Sequence, residues 1–514
     1  MSFYIYDITF LIIFSLGVGI FLWKRKKNLK REGIMYLYRT QVGVKFINYV
    51  GEKYKKTLSV LGFIGVVCGY LLMASMMYFL YKLVYIYLFV PEIVKAIKIP
   101  PLMPLIPYLP EAFKIDFLPP FYFTYWIIAI AVIAIFHEFA HGIIARLYNV
   151  KILTTGFGFL GPFLAAFVEP DEKQMEKKSK YQQIAILSAG VFTNLILAIL
   201  FFLLLSVFFV LTYIPAGAIF NTYTPGIVNI NSINMVGGKV VNDASAQGLL
   251  NIIKENNLSD DLILGGNGNT LELTKIVADG KTYYISIENF KVQLEKSLEE
   301  DLEKVALYED LPAINAGLRG AIIEINGIKI TDHDDLALIL KDYDVGDKVK
   351  IITKDVKGKG ERLEYEIILA EDSNQYEGLE GEFYSLKSGN ENIEVKKKAV
   401  IGIGFMNTNQ KVLGTVADMF NFFKKPATFY EPRFNIDLIV FIYNLIWWLA
   451  LINLSVALIN MWPVAIFDGG RMFMLSIWAI TGSEKFAQIM FKLATYLILG
   501  ALLVLMLGWF SAMF

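Results

Sequence analysis

Six long apolar runs, separated by polar segments, dominate the pattern of this sequence. They cover roughly residues 8–23, 58–80, 121–147, 184–213, 438–460 and 486–509. Because about 20 apolar residues in an α-helix cross a hydrocarbon core about 30 Å thick, each run predicts a membrane-spanning helix. The polar, turn-rich stretch at residues 214–433 predicts a separate insert outside the membrane.

Proline and glycine interrupt two further apolar segments. Residues 91–120 contain half of the 16 prolines, a density that excludes regular helix and predicts an external loop. This loop either lies beside a substrate entrance or is only a connector. Residues 152–170 contain Gly156, Gly158 and Gly161. Irregular backbone within the membrane is tolerated only where protein groups or water in a cavity satisfy its hydrogen bonds. We therefore expect a re-entrant hairpin there.

A basic cluster at residues 24–31 sets the predicted orientation. By the positive-inside rule this loop is cytoplasmic, so the N-terminus lies outside. With an even number of spans, both termini and the insert are extracytoplasmic in a multi-pass protein of the cell membrane. The first apolar run lacks a preceding basic region and a small-residue cleavage site, which predicts a retained anchor.

The insert contains a segment, Leu311 to Asp355, with a distinctive order of elements. A short helix at 313–318 precedes two strands at 321–330, joined by an Asn-Gly pair that strongly indicates a tight hairpin. A helix at 334–342 and a strand at 348–354 follow. This order resembles a PDZ domain, at about residues 300–406, and PDZ domains bind extended peptides at a sheet edge. Whether residues 219–300 are a second copy stays open.

Composition fits a membrane protein that carries a water-soluble part. Of the 514 residues, 55% are hydrophobic and 19% are charged, and the formal net charge is zero. Nothing therefore indicates a nucleic-acid partner. The single cysteine, Cys68, excludes an internal disulfide.

The third apolar run contains the sequence HEFAH at residues 137–141. Residues four apart share one helix face, so His137 and His141 can bind one metal ion while Glu138 flanks it. At 1.5 Å per residue, His137 lies about 24 Å into a core about 30 Å thick. Ionisable residues in such a span indicate a functional site. The alternative is that the histidines only hydrogen-bond a neighbouring helix.

A catalytic zinc site usually has three protein ligands and one open position, so a third ligand is needed. Asp468 is the best candidate, because it lies between Pro463, which cannot continue the fifth helix, and Gly469-Gly470. The third and fifth spans both run inwards and carry their polar groups at the cytoplasmic end, so the three ligands share a depth. The alternative is that Asp468 caps a helix or pairs with Arg471.

These residues predict a hydrolytic site. Zinc lowers the pKa of its bound water to about 7, and Glu138 can take the water's proton and pass it to a leaving amine. In the fourth span, Gly190 and Asn194 would let a substrate backbone approach and hold it. Alternatively, Asn194 only hydrogen-bonds a neighbouring helix. Asn460 is a further candidate for substrate binding.

Four motifs together resemble the site-2 protease family of intramembrane zinc metalloproteases, in its PDZ-containing prokaryotic type. They are HEFAH at 137–141, AAFVEPDEKQM at 165–175, AGVFTN at 189–194 and NMWPVAIFDGG at 460–470. The resemblance implies cleavage within the membrane-spanning helices of single-pass proteins. Phe467 and Val191 replace the leucine and proline that the family often has, and both leave the chemistry intact.

The predicted fold is a polytopic α-helical membrane protein with an α+β extracytoplasmic insert. Residues 1–120 hold two leading helices and the proline-rich loop, residues 121–213 and 434–514 form the two halves of a protease core, and residues 214–433 form the insert. The alternatives are a transporter or receptor with a PDZ module and a polar ion site, or an inactive scaffold of the same fold. Full function in a Glu138→Gln protein would favour the transporter or receptor.

Overall fold

The chain divides into two compact units. One comprises Met1–Phe209 and Ile436–Phe514, and the other comprises Val210–Asn435. The second unit covers the residues for which the sequence predicts the insert. The computed structural model describes residues 3–513 except 34, 91–99, 102, 114, 116–117, 161–162, 261, 265–270, 357–360, 372–382, 386–398, 407–421 and 435.

Six long apolar helices build the first unit. They are α1 (Phe3–Arg25), α3 (Lys55–Phe89), α5 (Phe123–Leu147), α7 (Lys180–Thr212), α12 (Ile436–Ile459) and α14 (Glu484–Met513). Among the described residues these six are long and apolar enough to cross a bilayer, which confirms the predicted number of spans. The shorter helices of this unit are α2 (Val44–Lys53), α4 (Leu109–Ala112), α6 (Glu172–Glu176) and α13 (Asp468–Thr481).

The described residues of the glycine-rich segment at 152–170 form two paired strands of a larger antiparallel sheet. The strand order is β1-β2-β3-β4, and the strands are β1 (Leu29–Glu32), β2 (Met35–Thr40), β3 (Ile152–Leu160) and β4 (Phe163–Pro170). A Cβ on Gly156 would lie 2.3 Å from the carbonyl oxygen of Tyr38 and 2.5 Å from the Phe167 ring. Glycine therefore permits close strand packing here, and entry of the hairpin into the membrane stays a prediction.

Two modules with the same strand pairing lie in the second unit. In each module the first strand pairs with a short hairpin partner and with a longer strand that lies beyond a helix in the chain. This longer strand pairs in turn with the strand that follows it in sequence. The first module has β8 (Ile233–Val236), β9 (Lys239–Val240), α8 (Ala246–Glu255), β11 (Leu271–Ala278) and β12 (Lys281–Ile285). The second has β14 (Ala321–Ile325), β15 (Ile328–Lys329), α11 (His333–Leu340), β16 (Lys348–Lys354) and β17 (Arg362–Ile368).

This repetition indicates two related modules, each with its own hydrophobic core. The elements predicted between Leu311 and Asp355 are confirmed, and α10 (Pro312–Asn315) is the short first helix. The PDZ identity of either module stays a prediction. The other elements of this unit are β5 (Tyr213–Ile219), β6 (Thr222–Tyr223), β7 (Pro225–Asn229), β10 (Leu262–Leu264), α9 (Ile287–Glu300), β13 (Lys304–Glu309), β18 (Ala370–Glu371), β19 (Phe383–Ser385), β20 (Ala399–Val400), β21 (Ile403–Met406) and β22 (Thr428–Pro432).

Candidate metal centre

Helix α5 carries the HEFAH sequence, and a carboxylate from α1 caps its first turn. Helix N-termini present unpaired N–H groups and a partial positive charge. Asp7, only 1% exposed, accepts from the N–H groups of Phe123 at 2.8 Å and Thr124 at 2.9 Å. The hydroxyls of Thr124 and Tyr108 each donate to it at 2.5 Å. The sequence did not predict a role for Asp7, which lies one residue before the first apolar run but inside helix α1.

The structure brings the three predicted ligands together. His137 Nε2 lies 3.0 Å from His141 Nε2. Asp468 Oδ2 lies 3.3 Å from His137 Nε2 and 3.5 Å from His141 Nε2. His137 is buried, and the other two are half-buried. Two imidazole nitrogens and one carboxylate oxygen thus point at one small volume.

Asp468 reaches this position because the chain turns sharply between α12 and α13. The turn follows the end of α12, and Asp468 is the first residue of α13. The N–H of Gly469 donates to the carbonyl of Asn460 at 2.7 Å, which closes the turn. A Cβ on Gly470 would lie 2.1 Å from the carbonyl oxygen of Val464. The Gly-Gly pair is therefore required for the turn to pack back on the start of α13.

Glu138 is oriented by the β-sheet. The backbone N–H of Val168, in β4, donates to Glu138 Oε2 at 3.0 Å. Side-chain hydrogen bonds also hold β4 to the two strands before it. Glu169 in β4 accepts hydrogen bonds from Arg39 in β2 at 3.0 Å and from the Thr154 hydroxyl in β3 at 2.6 Å. The hydrogen bonds from Arg39 and Thr154 lower the pKa of Glu169. This strand therefore connects the four-stranded sheet directly to the HEFAH sequence.

Helix α7 lies against both histidines. The carbonyl oxygen of Ile186 lies 2.7 Å from His141 Nδ1, and the amide Nδ2 of Asn194 lies 3.0 Å from His137 Nδ1. A Cβ on Gly190 would lie 2.4 Å from His141 Nε2 and 2.7 Å from His137 Nε2. Gly190 therefore keeps the volume beside the two Nε2 atoms open. Gly190 and Asn194 were predicted to contact substrate, as was Asn460, and that role stays a prediction for all three.

The donor set fits a zinc ion. Zinc binds imidazole nitrogen and carboxylate oxygen at about 2.0–2.2 Å in tetrahedral geometry, so two donor atoms of one site lie about 3.3 Å apart. The three separations here are 3.0, 3.3 and 3.5 Å. Electron-rich atoms at these separations repel one another unless a proton or a cation lies between them. The site is therefore suited to a metal cation.

A family model described as Peptidase family M50 matches residues 125–505. The matched stretch contains all four sequence motifs and begins inside α5, so it leaves α1 outside. No curated protein matches the chain.

Proposed function

Because the chain belongs to peptidase family M50, the site-2 protease family that its motifs predict, we propose that it is an intramembrane zinc endopeptidase. Family membership implies a membrane metallopeptidase, and the six apolar helices agree with a multi-pass membrane protein. The observation that carries the proposal is the convergence of His137 Nε2, His141 Nε2 and Asp468 Oδ2 beside Glu138. Its substrates are membrane-spanning segments of other proteins.

Each polar residue of the site has a role in this proposal. His137, His141 and Asp468 hold the zinc, which when bound lowers the pKa of water to about 7 and polarises a carbonyl group. Glu138 accepts the proton of the attacking water and passes it to the leaving amine. The Val168 N–H holds Glu138 Oε2, so we assign the proton transfer to Oε1.

The position of β4 supports a route by which the substrate reaches the site. The backbone of a substrate helix is hydrogen-bonded internally, so it must unwind before its carbonyl carbon can be attacked. Among the described residues β4 is the last strand of its sheet, and it contacts Glu138 through Val168. An unwound, extended segment can add to such an edge by backbone pairing.

We also propose that both termini and the insert are extracytoplasmic. The basic cluster at residues 24–31 supports this orientation. In a Cys68→Ala background, Lys27→Cys should resist an impermeant thiol reagent in intact cells, while Asp355→Cys should react. The reverse labelling pattern would overturn the orientation.

The catalytic roles are tested by separating metal content from turnover. In purified protein, Glu138→Gln should retain zinc and lose cleavage of a model transmembrane substrate by about 10²–10⁴-fold, the usual contribution of general acid–base catalysis. His141→Ala and Asp468→Ala should lose both zinc and cleavage. Glu52→Gln, which changes a half-exposed carboxylate paired with Arg146, is the matched control and should retain both. Normal cleavage by Glu138→Gln would remove Glu138 from the mechanism.

A further inference from the structure

The segment that joins α1 to α3, residues 24–56, carries most of the positive charge on its side of the first unit. This basic segment contains eleven lysine and arginine residues and two glutamates, in a chain whose formal net charge is zero. Ten of the eleven cationic side chains are exposed. Six of the cations form the cluster at residues 24–31, and the others continue along the chain to the start of α3.

Both ends of the basic segment belong to helices that are apolar enough to cross a bilayer, so they lie near one membrane surface. Lys24 and Arg25 are in the last turn of α1, and Lys55 and Lys56 begin α3. Cations suit the end of a helix, but at its start they oppose the partial positive charge of the helix. The first turn of α3 has no acidic residue and no side-chain cap. Lys55 and Lys56 therefore do not stabilise α3, and their charge suits an anion outside the chain.

Helix α2, in the middle of the basic segment, has one face fixed against α5. Val44, Ile47 and Gly51 are buried on this face. A Cβ on Gly51 would lie 2.7 Å from Arg146 Cβ, in the last turn of α5, so the two helices are in close contact. The contact holds α2 at the end of α5 that follows the HEFAH sequence.

The opposite face of α2 exposes large apolar side chains. Phe46 is 54% exposed and Tyr49 is 53% exposed, and Val42, just before the helix, is 74% exposed. Lys45 lies next to Phe46 and is exposed as well. Aromatic side chains with neighbouring lysines are typical of helices that lie in the membrane interface. The boundary between headgroups and acyl chains would cover this apolar face, which water would leave exposed.

We infer that the basic segment is a binding surface for anionic phospholipids, with α2 lying in the membrane interface. Clusters of about 4–8 lysine or arginine residues beside a spanning helix, or on an amphipathic helix, attract anionic lipids. The cations would meet the phosphate charges, and Phe46 and Tyr49 would enter the acyl boundary. A soluble acidic partner would satisfy the cations but would leave the exposed aromatic face uncovered. This surface is separate from the metal centre and does not depend on the proposed peptidase function.

The test uses the full-length protein in phosphatidylcholine nanodiscs with a trace of photoreactive lipid. Two probes carry the same photoreactive group on an acyl chain, one with a phosphatidylglycerol headgroup and one with a phosphatidylcholine headgroup. Labelled peptides are identified by mass spectrometry. In peptides from residues 24–56, phosphatidylglycerol should label about 5-fold or more strongly, the factor that one cation contributes at an anionic surface. The preference should fall in 1 M salt, where the Debye length is about 3 Å.

A charge variant and a matched control locate the preference. The combined variant Lys45→Gln, Lys55→Gln and Lys56→Gln keeps the cluster at residues 24–31 and should lose at least about 5-fold of the phosphatidylglycerol labelling. The control removes three lysines from the loop that contains α6, which two crossings place on the same side of the membrane. There three acidic residues balance the charge, at positions 171, 172 and 176. The control, Lys173→Gln, Lys177→Gln and Lys178→Gln, should keep the wild-type preference.

Several results would overturn this inference. Equal labelling of the basic segment by the two probes in the wild-type protein would show that the cations serve only orientation or a soluble acidic partner. Equal losses in the two lysine variants, or no loss in either, would show that the preference does not arise at this surface. Competition by soluble glycerol 3-phosphate would indicate a site for a free anion. None of these readouts involves zinc or cleavage, so they stand or fall independently of the proposed function.

Discussion

Two carboxylates act on α5 at different points, and their partners differ in kind. Asp7 receives hydrogen bonds at the first turn from two backbone N–H groups and two hydroxyls. Asp468 instead meets the Nε2 atoms of His137 and His141. Donors alone satisfy a carboxylate, whereas imidazole nitrogens with their own lone pairs require a proton or a cation between the groups. The chemistry of the partners, and not burial alone, therefore separates a structural carboxylate from a candidate metal ligand.

The largest loss of zinc affinity should come from filling the volume at the end of α5 that faces Asp468. In Gly190→Ala, the new Cβ would lie 2.4 Å from His141 Nε2 and 2.7 Å from His137 Nε2, so it competes for the space that a metal needs. We expect at least a roughly 100-fold loss of zinc affinity, because several ligands of the ion are displaced together. Gly500→Ala, whose Cβ meets nothing within 4 Å, is the control and should bind zinc normally. Normal metal content in Gly190→Ala would show that the volume beside Gly190 is not where the metal binds.

A smaller effect is expected at the start of α5, where Asp7 binds. Substitution there should lower the free energy of unfolding and leave zinc binding unchanged. Asp7→Ala leaves the first N–H groups of α5 without their acceptor and should destabilise the protein by roughly 3 kcal/mol. The readouts are the midpoint of thermal unfolding in detergent and the zinc content per folded chain. Asp437→Ala removes an exposed carboxylate in the first turn of α12 and should change stability by less than about 0.5 kcal/mol.

This prediction separates the two carboxylates by their readouts. Asp7→Ala should lower the unfolding midpoint and keep one zinc per folded chain. Loss of zinc from folded Asp7→Ala protein would show that the two ends of α5 are not independent.

Local patterns predicted which three side chains converge. The spacing of His137 and His141 follows from helix geometry, and Pro463 and the Gly-Gly pair mark the break in which Asp468 lies. Both signals lie within a few residues of the group that they position. The sequence could therefore predict these three side chains as candidate metal ligands before the helices were placed together.

Contacts between distant residues were not predictable in the same way. Strand β2 pairs with β3 across more than a hundred residues, for example Tyr38 with Phe157, and the basic cluster before β2 indicated only a loop. Asp7 reaches α5 across a similar separation. Asn194 was found as a polar residue in a span, but only the packing of α7 on α5 shows that it faces His137 Nδ1.

The central claim is that His137, His141 and Asp468 form one zinc site, and X-ray absorption at the zinc edge of the purified protein tests it most directly. Our account predicts one zinc per chain with nitrogen and oxygen donors at about 2.0–2.2 Å and outer-shell scattering from two imidazole rings. The signal of one imidazole should disappear in any His141→Ala protein that still holds zinc. A purified protein without zinc, or a zinc shell without imidazole scattering, would contradict the account.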